Sequence, residues 1–367
     1  MRRLLCIINN MNSGGAETFL MKLYRTLDKT QYQMDFCINV PEHCFYEDEI
    51  LALGGRIYRI PSKSESFSAF CAQLGDLVRS QRYHYVLRIT SNAAGFLDLK
   101  IAKKAGATRC IARSSNSSDG DGLKSAVVHR LGRLLCQSSV DVMLAPSDLA
   151  AQYTFGKRAY QRDEVTILRN GIDLNIYRFD PQVRAEIRRS LAIGKHTNVF
   201  GHIGRFMQQK NHAFLLDVFA ECLKRAPDSV LLLVGKGELE EQIREKAATL
   251  GLSGRILFTG VRSDVPALLS AMDCFVFPSF YEGMPNTVIE AQATGLSCVI
   301  SDRITREADL TGLVHYLPLG NAEKWADAAL SCIGAERTDT REAFIRQQYD
   351  IESVTQQFVR LIFGEES

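Results

Sequence analysis

Residues 274–301 read CFVFPSFYEGMPNTVIEAQATGLSCVIS. Two short apolar runs, CFVF and SCVIS, enclose a loop with glycine and proline and a stretch of helical character. A buried strand, a loop, a helix and a second buried strand in this order are typical of a βαβ unit, in which the two strands are parallel. The stretch therefore predicts an α/β fold built on a parallel sheet.

The same alternation extends over most of the chain. In the first half, buried-strand runs such as LLCIINN, QMDFCINV, YVLRIT and VDVMLAPS alternate with helical stretches, among them residues 66–80 and 123–136. A turn-rich, charged passage over 170–198 interrupts the pattern, and a second series begins at VFGHIGRF. We predict two doubly wound Rossmann-like domains, over 1–180 and 181–345. The last residues, 346–367, are expected to form an amphipathic helix that either stays with the second domain or crosses back to the first.

Composition agrees with two globular domains. The chain has 367 residues, of which 46% are hydrophobic, and this length suits two cores better than one. Its ten cysteines are scattered and contain no C-x-x-C pair, which favours buried reduced thiols over disulfides or metal ligands. No apolar run approaches the length of a membrane span, so we expect a cytoplasmic protein.

Charge is distributed unequally between the halves. Residues 1–180 carry 24 Lys and Arg against 18 Asp and Glu, a balance of +6, whereas residues 181–367 carry 20 against 24, a balance of −4. The basic first half suits either an anionic partner, such as a phosphate-bearing lipid, or simply a solvated surface. Nothing in the pattern suggests a nucleic-acid partner.

The loops that follow the strands are the places to look for a site, because open parallel sheets bind ligands at the carboxyl ends of their strands. The first such loop, NNMNSGGAET, contains Gly14 and Gly15 just before a helix, an arrangement that suits either an anion or a plain turn. It lacks the G-x-G-x-x-G fingerprint, so a dinucleotide cofactor is weakly supported. In the second half, GHIGRFMQQKNH brings together Gly204, Arg205 and Lys210, which suit either a diphosphate site or a charged surface loop.

The remaining loops are explained by structure alone. Gly235 and Gly237 form a strand-end turn, Glu238 is expected to start the next helix, and the turn Gly260-Val261-Arg262 follows the next strand. Thr287 and Glu290 have the spacing of a capping box, which predicts that Glu290 lies in the first turn of a helix. Glu282 is read from spacing as a solvated loop residue.

Taken together and in order, these loops resemble the glycosyltransferases of family 4, which have the GT-B fold. The likeness is greatest to bacterial members that assemble capsular and exopolysaccharide repeat units. It covers nearly the whole chain, weakly over 20–110 and strongly over 197–302, and its most specific element is the E-x7-E pattern from Glu282 to Glu290. The resemblance implies two Rossmann-like domains that face each other across a cleft, the first binding the acceptor and the second a nucleotide-sugar. It also implies retention of anomeric configuration, with no metal and no other cofactor.

The resemblance also implies roles for particular residues. Catalytic roles fall to Arg205 and Lys210, which hold the donor diphosphate, and to Glu282, which contacts the transferred sugar. Glu290 is expected to bind the ribose hydroxyls, so the two glutamates grip one donor rather than act as an acid and a base. The remaining donor-side residues are Gly15, Gly204, Gly235, Gly237, Glu238, Val261, Arg262, Gly283, Met284, Pro285, Asn286 and Thr287.

One strand-end loop departs from the family pattern. Many family members have a histidine where this chain reads ARSSNSSD, so that Ser115 or Arg113 stands in its place. Acceptor activation by a histidine is therefore in doubt, and acceptor contacts are expected instead from Gly14, Ser115, Asn116 and Asp119. A mechanism in which the leaving phosphate takes the acceptor proton needs no protein base.

The acceptor implied by the resemblance is a glycan or a polyprenyl-diphosphate-linked glycan. Helix 123–136 carries Lys124, Arg130 and Arg133 beside an apolar face, and Lys100, Lys103 and Lys104 lie nearby in sequence. Such a helix either lies on an anionic membrane surface, placing the protein at the inner face of the cytoplasmic membrane, or packs on its own sheet.

We therefore predict a retaining, metal-independent glycosyltransferase that uses a nucleotide-sugar, UDP-linked by expectation, in surface polysaccharide biosynthesis. Two alternatives remain open: a UDP-sugar 2-epimerase on the same fold, and a non-catalytic partner subunit that keeps the fold without turnover. The epimerase needs more carboxylates and histidines at strand ends than the sequence offers.

Overall fold

The computed structural model describes residues 1–12, 14–115 and 122–364, with residues 122–126 described by their backbone alone. The chain forms two compact units. The first consists of Met1–Gly171 and the residues from Gln348 onward, and the second of Ile172–Gln347. The sequence placed the division at 180 and 181, whereas the second unit begins at Ile172 and the C-terminal segment belongs to the first unit.

The first unit contains a seven-stranded sheet in the order β3-β2-β1-β4-β5-β6-β7. Every pair of neighbouring strands is parallel. The strands are β1 (Arg2–Ile7), β2 (Tyr32–Ile38), β3 (Ile57–Arg59), β4 (Tyr85–Thr90), β5 (Arg109–Ser114), β6 (Val142–Ala145) and β7 (Val165–Ile167). The order reverses between β1 and β4, as in a doubly wound sheet.

Helices cover both faces of this sheet and bury two separate apolar clusters. They are α1 (Gly15–Thr26), α2 (Glu47–Ala52), α3 (Phe67–Ser80), α4 (Phe96–Lys104), α5 (Gly122–Cys136), α6 (Asp148–Phe155), α7 (Lys157–Gln161) and, from the end of the chain, α15 (Ile351–Phe363). Val354, Phe358 and Ile362 of α15 lie in the same cluster as the residues of α1. Packing of its apolar face therefore holds the C-terminal helix in the first unit.

The second unit contains a six-stranded parallel sheet in the order β10-β9-β8-β11-β12-β13. Its strands are β8 (Asn198–Ile203), β9 (Ser229–Val234), β10 (Ile256–Phe258), β11 (Cys274–Phe277), β12 (Cys298–Ser301) and β13 (Val314–Leu317). Its helices are α8 (Pro181–Ser190), α9 (His212–Arg225), α10 (Glu240–Thr249), α11 (Val265–Ala271), α12 (Asn286–Ala293), α13 (Ala322–Ser331) and α14 (Arg341–Arg346). The α/β class with two doubly wound Rossmann-like units, predicted from the sequence, is confirmed.

Cysteine chemistry follows the sequence prediction as well. All ten cysteines are free thiols; nine are buried and Cys71 is half-buried. Burial raises the pKa of the Cys37 and Cys110 thiols to about 12, because a thiolate is poorly solvated in an apolar core. These thiols act as small apolar core residues. In the described part of the chain, no helix combines the length and apolarity that a membrane span requires.

Candidate active site

The strand order of the second sheet places its crevice between β8 and β11, where successive connections leave in opposite directions. A doubly wound sheet binds its ligand at this switch point, outside the carboxyl ends of the two strands. The loop after β8 runs from Gly204 to Asn211, and the loop after β11 runs from Pro278 to Pro285. Both loops contain residues that the sequence selected.

An ion pair joins the two loops. Nζ of Lys210 lies 2.7 Å from Oε1 of Glu282, and the two side chains are only 16% and 9% exposed. The same ammonium lies 4.7 Å from the centroid of the Phe277 ring, so it also faces an aromatic π-system. Glu282 is therefore not the solvated loop residue that its spacing suggested. An ion pair shielded from water interacts more strongly than one at the surface.

Backbone contacts fix the loops in register. The amide of Phe280 donates to the carbonyl oxygen of Gln209 at 2.9 Å, and Nε2 of Gln209 donates to the carbonyl of Tyr281 at 2.8 Å. Asn211, in the left-handed conformation with a φ of 55°, donates from Nδ2 to the carbonyl of Pro278 at 3.2 Å. These hydrogen bonds position Lys210 and Glu282 independently of a ligand.

Glycines allow the neighbouring loop to approach closely. A Cβ on Gly235 would lie 2.2 Å from the carbonyl oxygen of Gly204, and one on Gly237 would lie 2.3 Å from that of Phe206. Gly235 also has a φ of 137°, a conformation that favours glycine. Contacts between backbones within the unit thus account for both glycines, and a contact with donor phosphates remains a prediction.

Arg205 lies on the exposed side of the same loop. Its Nη2 is 3.3 Å from Oε2 of Glu238, and both side chains are more than half exposed. The prediction that Glu238 starts a helix is wrong, because α10 begins at Glu240. The amide of Leu239 bonds to the carbonyl of Phe206 at 3.1 Å, which keeps residues 237–239 in a turn. An exposed pair of this kind contributes about 0–1 kcal/mol, so Arg205 is easily released toward a ligand.

The capping box predicted for the E-x7-E stretch does not form. Helix α12 begins at Asn286, its cap position is Pro285 without a side-chain cap, and Thr287 is its second residue. Glu290 is consequently in the second turn, where it is buried with about 8% exposure. The helix starts earlier than the sequence suggested because Pro285 fixes its first turn. Capping therefore no longer explains Glu290.

The other donor-side residues surround these loops. Gly283, Met284 and Asn286 are half-buried at the entry to α12. Val261 is exposed, and the Arg262 guanidinium forms two bonds of 2.7 and 2.6 Å to Asp264. That pair raises the pKa of Arg262 and lowers the pKa of Asp264. Their contact with a nucleotide base stays a prediction.

Sequence reasoning missed two histidines beneath the site. His202 in β8 and His212 at the start of α9 lie with ring centroids 4.6 Å apart, and His212 stacks on Phe206 at 4.3 Å. Burial and the charge of nearby Lys210 lower the pKa of His212 to about 4 and lower that of His202 well below its usual value. Both rings are therefore neutral at neutral pH. The signal was a histidine inside the apolar run VFGHIG, which looks like an ordinary core residue.

The buried imidazole predicts acid sensitivity of the second unit. The pKa of His212 is about 4 when folded and about 6.5 when unfolded, so between these values the unfolded chain binds the extra proton. The free energy of unfolding should fall by up to about 3 kcal/mol as pH drops from about 6.5 to 4. Urea unfolding followed by fluorescence of Trp325, the single tryptophan and a buried residue of this unit, measures this change. His212→Phe should flatten the pH dependence; equal slopes in both proteins would contradict the assignment.

Strand ends of the first unit hold the acceptor-side residues. Gly14 is the N-cap of α1 and Gly15 is its first residue. A Cβ on Gly14 would lie 2.3 Å from Oε2 of Glu17, so the glycine makes room for that carboxylate at the helix N-terminus. Burial raises the pKa of Glu17. The predicted phosphate contact of Gly15 therefore has a carboxylate of the chain itself nearby.

The β5 end places Ser115 and Arg113 very differently. Ser115 is exposed, and its amide donates to the carbonyl of Thr90 at 2.9 Å, whereas Arg113 is fully buried. The Arg113 guanidinium lies 3.5 Å from the centroid of the Phe19 ring and donates to Oδ1 of Asn170 at 2.5 Å. Ser115 is thus the residue open to a substrate. Asn116 and Asp119, also expected at the acceptor, lie outside the described residues.

Metal ligands were also sought in the structure. Across residues 1–12, 14–115 and 122–364, no three His, Cys, Asp or Glu side chains lie close enough together to hold a metal ion.

Two doubly wound parallel-sheet units in one chain, with an ion-paired crevice in the second, define the GT-B class. Solved structures of this architecture match the whole chain. The crystal structure of Anabaena HepE in complex with UDP and glucose covers 100% of both chains with a TM-score of 0.79 at 18% identity. That of WaaG, a glycosyltransferase involved in lipopolysaccharide biosynthesis, covers 99% of this chain and all of its own with a TM-score of 0.73 at 14% identity.

Sequence comparison identifies the family within this class. The family described as Glycosyl transferases group 1 matches residues 197–334. The putative glycosyltransferase EpsF of Bacillus subtilis (strain 168) is 34% identical over 352 residues, which are 94% of this chain and 91% of EpsF. The chain belongs to the group 1 glycosyl transferases and is a transferase enzyme.

A second relative matches over a shorter stretch. The Escherichia coli UDP-Gal:alpha-D-GlcNAc-diphosphoundecaprenol alpha-1,3-galactosyltransferase is 36% identical over 148 residues, 38% of this chain and 37% of its own.

Proposed function

We propose that this protein is a retaining, metal-independent glycosyltransferase of family 4 that moves a sugar from a UDP-sugar. The acceptor is a glycan or a polyprenyl-diphosphate-linked glycan, and the reaction belongs to bacterial surface polysaccharide biosynthesis, capsular or exopolysaccharide. The observation that carries the proposal is the shielded ion pair of Lys210 and Glu282 at the switch point of the second sheet.

The pair suits a nucleotide-sugar in two ways. Lys210 uses one of its three N–H donors on Glu282 and keeps the others for phosphate oxygens. Glu282 has a second carboxylate oxygen that accepts hydrogen bonds from sugar hydroxyls. Cleavage of the sugar–phosphate bond leaves negative charge on the diphosphate, and a fixed ammonium stabilises that charge where it develops. Arg205, with its weak surface pair, supplies a second cation after rotation of its side chain.

Retention and independence of metal are consistent with these residue types. Two side-chain cations can neutralise a departing diphosphate, which is the task that a divalent metal performs in other transferases. Retention is compatible with an acceptor proton that passes to the leaving phosphate on the same face of the sugar. Ser115, the exposed residue at the β5 end, has no side chain that acts as a base near neutral pH, which suits such a route.

The choice of UDP is supported by relatives. The Anabaena HepE structures are described as complexes with UDP and with UDP-glucose. The name of the Escherichia coli relative gives UDP-Gal as donor and a diphosphoundecaprenol-linked sugar as acceptor. Other relatives are named for capsular or Vi polysaccharide biosynthesis. For this chain we propose the same donor nucleotide and an acceptor of the same lipid-linked class, used at the inner face of the cytoplasmic membrane.

The group 1 family and the named relatives favour the transferase over both alternatives. A 2-epimerase would need acid and base groups around the anomeric side. In the second unit the two buried histidines near the site are held neutral and stacked in the core. They are poorly placed to exchange protons with a sugar.

A donor screen tests the nucleotide. A ligand that binds only the folded state raises the free energy of unfolding by about 2.7 kcal/mol at 100 times its dissociation constant. For a unit of this size such a change corresponds to a rise of roughly 5–10 °C in Tm. UDP-sugars should produce this rise in thermal unfolding followed by Trp325, whereas GDP- and ADP-sugars should not. A larger shift with a GDP- or ADP-sugar would replace UDP in the proposal, and NMR of the product from the stabilising donor reports its anomeric configuration.

A further inference from the structure

Helix α5 turns its small and polar residues toward the unit to which it belongs. A Cβ on Gly132 would lie 2.3 Å from the carbonyl oxygen of Ala93, so the helix packs there by backbone contact. His129 accepts at Nδ1 from the amide of Ala93 at 2.9 Å, and its Nε2 donates to the carbonyl of Tyr153 at 3.0 Å. These contacts fix the rotation of α5 about its own axis.

The opposite side of α5 is apolar and exposed. Its outward side chains are about half exposed or more, and Leu134 is 73% exposed: Val127, Val128, Leu131, Leu134 and Leu135. At 100° per residue they fall within an arc of about 120°, so they form one contiguous face. Single exposed apolar residues are common, but a contiguous patch of this kind marks a surface that meets another molecule or a membrane.

A basic cavity adjoins this face. It has a volume of about 820 Å³ and lies between α5 and the segment containing α6 and α7. Its cationic lining residues are Arg130, Arg133, Lys157, Arg158 and Arg162. Glu164 is the carboxylate among the lining residues, and it lies 3.8 Å from Nη1 of Arg162. Gly156 leaves room for the Arg133 guanidinium, because a Cβ there would lie 3.1 Å from Nη1.

The cavity lies away from the strand-end loops. Helices that connect parallel strands run antiparallel to them, so their C-terminal ends lie at the edge of the sheet opposite the carboxyl ends of the strands. The lining includes Arg133 and Gln137 at the end of α5 and Phe155 at the end of α6. Gly14, Gly15 and Ser115 follow strands and lie at the other edge. The cavity is therefore separate from the predicted acceptor residues.

We infer that the outward face of α5 and the basic cavity form one docking site for a bilayer that contains anionic phospholipid. The apolar side chains enter the boundary between headgroups and acyl chains, while the cavity cations bind lipid phosphate. Arginine suits this task because its guanidinium donates two parallel hydrogen bonds to phosphate oxygens. The inference rests on the proposed membrane contact of the transferase but uses none of the residues of the donor site.

Charge favours a membrane over a second copy of the chain. A two-fold dimer would bring the same surface of both copies together, and each copy would present its five cations to those of the other. Like charges placed opposite each other weaken an interface, whereas an anionic lipid surface neutralises them.

Flotation with lipid vesicles tests the site on the full chain. The wild type should float with vesicles that contain phosphatidylglycerol and remain unbound with vesicles of phosphatidylcholine alone. The double variant Arg158→Gln/Arg162→Gln should bind about 10–30-fold more weakly, since each cation near an anionic surface contributes about a tenfold factor or slightly less. Leu134→Gln/Leu135→Gln should lose about tenfold or more, and glutamine preserves the helix. Inorganic phosphate, added as a free ligand, should not replace the vesicles in the leucine-dependent step.

Matched controls separate docking from folding and from catalysis. Leu51→Gln and Arg79→Gln change an exposed leucine and an exposed arginine of the same unit and should float like the wild type. Lys210→Ala should also float normally, whereas the docking variants should transfer sugar to a water-soluble acceptor at the wild-type rate. Vesicle binding that ignores phosphatidylglycerol, or that survives both double variants, would overturn the inference. So would a dimer in light scattering that Leu134→Gln/Leu135→Gln dissociates. A failure of transfer alone would instead count against the proposed function.

Discussion

Replacement of Lys210 by alanine is expected to lower the rate of sugar transfer by about 10²- to 10³-fold, the loss typical of removing one preorganised donor from a charged leaving group. The ammonium is shielded and already oriented by Glu282 and Phe277 before the donor arrives. It therefore stabilises the charge on the departing diphosphate without reorganisation. Most of the loss should appear in kcat, because that charge is larger in the transition state than in the bound donor.

The measurement needs both partners of the pair. Glu282→Ala removes a contact proposed for the sugar and also releases Lys210, so a cycle with the single and double variants separates the two effects. If the residues act as a unit, the double variant should lose little more than the worse single variant. Lys224→Ala, which removes an exposed lysine paired with Glu221 on α9, is the matched control and should leave kcat unchanged. Wild-type rates in Lys210→Ala and Glu282→Ala would refute the site.

Sequence patterns located these residues because their loops follow strongly apolar runs. Periodicity fixes where a buried strand ends, and in parallel sheets the ligand site lies at those ends. Gly204, Lys210 and Glu282 could thus be selected without coordinates. Their pairing could not, because it depends on β8 and β11 being neighbours, which is a property of strand order.

Errors arose where local patterns were decided by distant contacts. The capping spacing at Thr287 was overridden by Pro285, which starts α12 earlier. Glu238 stays outside α10 because the turn before it is bonded to the β8 loop. Amphipathicity of α5 showed an apolar face but not its direction. That direction follows from the contacts of Gly132 and His129 with Ala93, which no sequence window contains.

Substitution of Asp273 by alanine is expected to lower the free energy of unfolding of the second unit by about 3–5 kcal/mol, because it leaves two buried or half-buried guanidinium groups without their carboxylate. Oδ2 of Asp273 lies 2.7 Å from Nη2 of Arg188 and accepts from the amide of Val199 at 2.8 Å. Its other oxygen pairs with Arg184. One carboxylate thereby fastens α8 to the starts of β8 and β11, the strands whose other ends carry the site.

Burial makes this pair different from those on the surface. The Arg188 side chain is only 6% exposed, and desolvation lowers its pKa although Asp273 opposes that shift. The chain offers a matched comparison in Asp327, which pairs with Arg225 on the surface of the same unit. Asp327→Ala should cost less than about 1 kcal/mol, as exposed pairs do. Urea unfolding followed by Trp325 fluorescence reports the second unit in both variants. Equal losses for the two substitutions would mean that Asp273 does not support the central strands, and catalytic defects in its variants could then not be attributed to displacement of Lys210 and Glu282.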